Sequence, residues 1–272
     1  MNRLARRSLV NLVGGVVALL FAFPVYWMAI SAFKDRNDIQ TYEPVFLPVP
    51  TLDNFARAIG APHFTEYLGN SLFVTGCTLA LALVVGFLAA ATVARIRIRG
   101  RRGFLVLVAV AQMAPFEALL IPFFLVLRDA GLDNKLTSLV IIYFIFTLPF
   151  TIWSLRGFIA GIPVDLEEAA MVDGASRVGA FMRVTLPLLW PGLVATATFC
   201  FITAWNEFLY ASSMMRDTYT LPVWLVSFRT NFGTDWGATM AASTLFTLPV
   251  LVFFLIVQGR MVSGLTAGAV KG

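Results

Sequence analysis

The sequence predicts an all-α integral membrane protein with six transmembrane helices, and three observations carry that expectation. Apolar residues make up 59% of the 272 residues and charged residues only 13%, with a mean hydropathy of +0.83, too apolar for an ordinary soluble domain. The apolar residues gather into six blocks, at about residues 9–33, 71–94, 104–127, 136–158, 192–214 and 237–257. A helix of roughly 20 residues, rising about 1.5 Å per residue, covers a hydrocarbon core of about 30 Å. With the amino terminus inside, 13 of the 20 Lys and Arg fall on one side of the six blocks. That excess marks the side as cytoplasmic and places both termini there. The chain is expected to form one transmembrane domain over residues 1–272.

Arg3, Arg6 and Arg7 precede the first block. A cleaved signal peptide shares such a basic start, but this block is too long and lacks a convincing small-residue cleavage site. Pro24 is tolerable within it as a kink. Residues 34–70 carry Asp35, Asp38, Glu43, Asp53 and Glu66 together with Pro44, Pro48 and Pro50, and are expected to form an external loop. In the second block Gly86, Ala89, Ala90 and Ala91 offer small surfaces for close helix packing. Arg95, Arg97, Arg99, Arg101 and Arg102 follow. Flanked by spans, they fit a cytoplasmic anchor and not a nucleic-acid patch, since no interleaved aromatics form a basic face.

The third block is interrupted by Pro115, Glu117 and Pro122, so its end is expected to form a separate short helix near the outer face. A lone carboxylate at a span's centre costs about 2.5–3.5 kcal/mol on insertion scales. Glu117 therefore either lines a pathway or packing contact, or lies near the outer headgroups. A polar turn at residues 128–135 leads into the fourth block, which contains Pro149. The fifth block holds Trp205, Asn206, Glu207, Phe208 and Leu209, and its adjacent polar pair should face protein or water instead of lipid. Residues 216–235 form a second expected external loop, with Tyr219, Trp224 and Trp236 of the kind found at membrane interfaces. After the last block, residues 258–272 are small and glycine-rich, by composition a frayed tail.

Between the fourth and fifth blocks lies the most informative stretch, residues 163–190. Pro163 suits a first helical turn, and Asp165, Glu167 and Glu168 complement the positive end of the helix dipole. Gly174 can take a left-handed conformation and end that helix, Ser176 can cap a second one, and Pro187 is expected to stop it near Leu186. Ala169, Ala170, Met171, Val172, Ala180, Phe181 and Val184 give the pair more apolar surface than a plain loop requires. Such a surface suits a groove in a partner.

Glu168-Ala169-Ala170, then Gly174, then Val184-Thr185-Leu186-Pro187 resembles the cytoplasmic signature of permease subunits of binding-protein-dependent ABC importers. Val184 in place of isoleucine is the only departure. The resemblance implies a type I importer permease fold in which residues 163–190 dock on a separate ATPase. It implies coupling roles for Glu168, Ala169, Ala170, Asp173, Gly174, Leu186 and Pro187. Residues 205–208 resemble the Trp-Asn-x-Phe pattern of carbohydrate permeases, which implies a place for Asn206 and Glu207 at or close to the translocation pathway. Residues 264–272 resemble the terminal motif of maltose-transporter-type permeases, which implies insertion at the ATPase interface.

The expected partners are a second permease, a pair of ATP-binding subunits, an extracytoplasmic solute-binding protein, a di- or oligosaccharide and membrane lipid. Glycerol 3-phosphate or another polyol is the alternative solute. ATP and Mg belong to the ATPase, because this sequence has no Gly-x-x-x-x-Gly-Lys-Ser/Thr run. No catalytic residue is expected: no aspartate lies in a span and no nucleophile stands beside a base. Neither is a metal site or a disulfide, since His63 has no ligand-spaced neighbours and Cys77 and Cys200 sit in apolar blocks. A secondary carrier would show internal repeats, and none is visible.

Overall fold

The computed structural model describes residues 3–41, 43–96, 98–230 and 233–269, of which 3–7, 230 and 260–269 are described by backbone only. The helices in chain order are α1 (Arg3–Ala32), α2 (Arg36–Gln40), α3 (Asp53–Ile59), α4 (Phe64–Arg95), α5 (Arg101–Gln112), α6 (Leu120–Asp129), α7 (Leu136–Gly161), α8 (Asp165–Val172), α9 (Arg177–Ala180), α10 (Leu186–Trp205), α11 (Leu209–Met214), α12 (Leu221–Val226) and α13 (Trp236–Ala269). A short antiparallel hairpin, β1 (Arg229–Thr230) and β2 (Gly233–Thr234), precedes α13 and pairs Arg229 with Thr234. Among the described residues, five helical segments are long and apolar enough to cross a membrane. The pair Arg101–Gln112 and Glu117–Asp129 makes up to six if it counts as one bent span.

That pair bears out the break expected in the third block. Residues 104–127 do not form one helix: α5 and the segment after it are bent by 88°. Pro115 has no amide to donate and disfavours helical backbone at Ala114, so α5 ends at Gln112. Pro122 falls in the first turn of α6, where no amide partner is needed.

The chain packs as two compact units, Met1–Glu66 with Trp224–Pro249, and Tyr67–Val223 with Val250–Gly272. In the first, Asn54 is buried and its amide donates to the carbonyls of Ala32 at 2.9 Å and Lys34 at 2.7 Å, closing the end of α1. Its carbonyl accepts from Arg57, which pairs with Asp235 at 3.2 Å. A side chain at Gly237 would fall 2.3 Å from Asn54 Oδ1, so any larger residue there would push Asn54 away from the hydrogen bonds it makes. The predicted external loops are thus built structure, holding α2, α3, α12 and the hairpin. Trp224, expected at an interface, is only 1% exposed and lies between the rings of Phe64 and Phe228.

In the second unit, Leu139, Ile142 and Tyr143 of α7 pack with Ala204, Tyr210, Ala211 and Met214. A second apolar layer joins Ala90 of α4, Leu155 and Ile159 of α7 and Leu189 of α10. Glycine permits two close approaches: a Cβ at Gly86 would lie 2.4 Å from Thr151, and one at Gly192 would lie 2.4 Å from Phe158. The small-residue face predicted on the second span is therefore a packing face. α13 continues through the predicted frayed tail to Ala269, while Val270, Lys271 and Gly272 of the terminal motif lie outside the described residues.

Candidate functional site

The elbow at residues 163–190 forms largely as its local chemistry dictates. The Val164 carbonyl accepts from the amides of Glu167 at 2.9 Å and Glu168 at 3.1 Å, starting α8 with three carboxylates in its first turn. Gly174 has φ +91°, a conformation that costs other residues roughly 1–2 kcal/mol. This bend lets the Gly174 amide donate to Met171 at 3.1 Å and the Ala175 amide to Ala170 at 3.0 Å, satisfying the helix end. Ser176 Oγ accepts from the Gly179 amide at 3.1 Å and caps α9.

The second helix does not stop at Leu186. α9 passes through a π-helical turn, Phe181–Thr185, directly into α10, so Pro187 sits inside a continuous helical stretch. A π turn shifts bonding from the fourth to the fifth residue, and the widened backbone accommodates a proline that a regular helix would reject at that point. The fifth predicted span, 192–214, accordingly begins earlier, within the membrane-length segment Arg177–Met214.

Glu168, Ala169, Asp173, Gly174 and Pro187 are exposed, and Ala170 and Leu186 are half-buried. Val172 is 88% exposed and Val178 73%, beside exposed Val164, Leu166, Met171 and Met182, a concentration of apolar surface on so short a segment. Ala180 and Phe181 differ from expectation. Ala180 is fully buried and the Phe181 ring packs 5.9 Å from that of Phe87, so both hold the elbow to the helices and do not present it outward.

The three candidate pathway residues lie at breaks in helices, not within them. Glu117 is exposed and opens the 3-10 turn Glu117–Leu119 at the bend between α5 and α6. α10 ends at Trp205, and residues 206–208 separate it from α11, which places Asn206 and Glu207 at an interruption. Asn206 is exposed, with its amide returned to the Ile202 carbonyl at 2.9 Å. Glu207 turns inward: its carboxylate accepts from the Tyr143 hydroxyl, the Tyr210 amide at 2.8 Å and the Ala211 amide at 3.3 Å, and so caps α11. The Tyr210 hydroxyl in turn donates to the Phe116 carbonyl at 2.7 Å, which ties the two breaks together.

Residues 82–266 match the family described as binding-protein-dependent transport system inner membrane component. The chain belongs to this family. It is 49% identical over 265 residues to a diacetylchitobiose uptake system permease of Streptomyces coelicolor, covering 96% of each chain. It is 34% identical over 278 residues to a trehalose/maltose transport system permease of Thermococcus litoralis, covering 98% of each. Its fold matches that of a bacterial ABC transporter involved in the import of the acidic polysaccharide alginate, with a TM-score of 0.76 at 24% identity, over 95% of this chain and 98% of that one. This inner membrane component is therefore a multi-pass membrane protein with the fold of ABC importer permeases.

Sequence reasoning missed how Glu167 and Thr185 of the elbow meet Arg95 at the end of α4. Glu167, adjacent to the exposed Glu168, is buried, and its Oε1 accepts from Arg95 Nε at 2.7 Å and from the Thr185 hydroxyl. Arg95, expected to be part of a cytoplasmic anchor, also donates through Nη2 to the Ile162 carbonyl at 3.0 Å. The available signal was the glutamate pair itself. Neighbours on a helix point about 100° apart, so two adjacent carboxylates can face different surroundings, and one that turns inward needs a cation or several hydrogen-bond donors.

Proposed function

We propose that this permease is the membrane-spanning subunit of an ATP-driven carbohydrate importer, forming the translocation pathway with a second permease. The observation that carries the coupling role is the elbow: a bent pair of short helices, outwardly apolar, with Glu168 and Asp173 exposed on it. Glu168 is the charged contact to a separate ATPase, and Ala169, Ala170, Gly174, Leu186 and Pro187 shape the surface that docks there. ATP and Mg are held by that ATPase, which works as a pair, and an extracytoplasmic binding protein delivers solute. Both termini and the elbow face the cytoplasm, in keeping with the distribution of Lys and Arg. Nucleotide-driven closure of the ATPases moves the elbow, and the cavity between the permeases alternates between inward-facing and outward-facing.

The solute class rests on relatives named for diacetylchitobiose and for trehalose/maltose. A glycerol-bearing or polyol solute is the second reading, favoured by a permease for sulfoquinovosyl glycerol from Agrobacterium fabrum that is 35% identical over 254 residues. Asn206 and Glu117, exposed at the linked helix breaks, are the pathway candidates, while Glu207 holds its break in shape.

Two substitutions test the coupling role. Gly174→Val forces a β-branched residue into a left-handed conformation, and Glu168→Lys reverses the exposed charge. Both proteins should reach the membrane in normal amount, and uptake of diacetylchitobiose, trehalose or maltose by cells carrying them should fall to background. Wild-type uptake in both would remove the elbow from the mechanism.

A further inference from the structure

The π turn, the buried ion pair and the short α8 meet at one place. α8 has eight residues, too few to hold a helix by itself in water, where about 12–15 are marginal. Its outward face is exposed, so its geometry depends on what the inward face touches. The strongest inward contact is Glu167 to Arg95, with the two side chains only 8% and 9% exposed.

Arg95 is the last residue of α4, and its guanidinium also holds the Ile162 carbonyl at the end of α7. Glu167 receives the Thr185 hydroxyl from the π turn that leads into α10. Arg177 of α9 donates to the Arg95 carbonyl at 3.3 Å, closing the group from the other side. One buried ion pair thus gathers the ends of α4 and α7, the start of α10 and both short helices of the elbow. The apolar layer of Ala90, Leu155, Ile159 and Leu189 already packs α4, α7 and α10 against one another.

An apolar layer is cohesive but non-directional, and helices can slide along it. A buried ion pair adds little net stability over an apolar pair, because both charges lose their water. Its best-attested use is to fix register. The planar guanidinium, with its forked donors, fixes direction as well as distance.

We infer that Arg95 and Glu167 are positioning residues that make the elbow one rigid body with α4 and α7, so that displacement of the elbow is delivered to the spans and not lost in slippage. This rests on the proposed coupling role.

The test uses the complete complex in lipid, with spin labels at Leu81→Cys on α4 and Asp165→Cys on α8 in a Cys77→Ser/Cys200→Ser background. Both labelled positions are exposed. With Arg95 and Glu167 intact, the label separation should be narrow and the same with and without ATP. Arg95→Gln or Glu167→Gln should broaden it and make it change with ATP. The exchange Arg95→Glu/Glu167→Arg should restore the narrow distance, as should retention of the pair in Thr185→Val. Solute moved per ATP hydrolysed should fall about tenfold in the single variants, within the range by which interior networks modulate coupling.

A narrow, ATP-independent separation in Arg95→Gln overturns the link, as does an ATP-dependent one in the unsubstituted protein. If the single variants fail to assemble, the exchange decides: restored assembly with a narrow distance supports the link, and behaviour like the single variants overturns it. Absence of an ATPase from the purified wild-type complex would instead sink the coupling reading, and the link with it.

Discussion

The elbow and the interruption after α10 are two solutions to one problem, adjacent polar residues in an apolar chain. At the elbow Glu167 turns inward and Glu168 outward. At the interruption Glu207 turns inward and Asn206 outward. The inward residues differ in how they are compensated. Glu167 meets the full charge of Arg95, whereas Glu207 is satisfied by neutral donors, the Tyr143 hydroxyl and two backbone amides. A carboxylate that joins separate elements through a cation acts as a connector. One that caps the next helix acts as a local brace.

Substitution should separate these two roles by size. Glu167→Ala strands the Arg95 cation in a buried site and should cost about 3–5 kcal/mol, read as a lowered unfolding midpoint of the purified complex. Glu207→Ala strands neutral donors only and should cost about 1–3 kcal/mol by the same measurement. If Glu207→Ala proves the more damaging, the distinction between connector and brace fails. Asn206→Ala removes an exposed side chain and should change stability by less than about 0.5 kcal/mol. Its effect belongs in the concentration dependence of solute uptake, and unchanged uptake kinetics would leave Asn206 outside the pathway.

The parts of the fold legible in the sequence are those written in short-range chemistry. Runs of apolar residues located the spans, and Gly174 and Ser176 located the bend and cap of the elbow, because a left-handed glycine and a capping hydroxyl act within three or four residues. Pro115 announced a break for the same reason. Pro187 misled, because a proline's local preference is to end a helix, and only the π turn before it lets the helix run on. Trp224 misled in the same way: its type fits an interface, but Phe64 and Phe228, distant from one another in sequence, enclose it.

By itself, then, the sequence determined that the chain crosses a membrane, where it bends outside it, and which signature the bend carries. Hydrophobic transfer and backbone conformation act over a few residues and leave their mark in the order of the chain. Which residue of each polar pair turns inward, and what receives it, was decided by tertiary structure alone. Arg95 and Glu167 are 72 positions apart, and no local preference records that the end of one long helix will lie against the first turn of another short one.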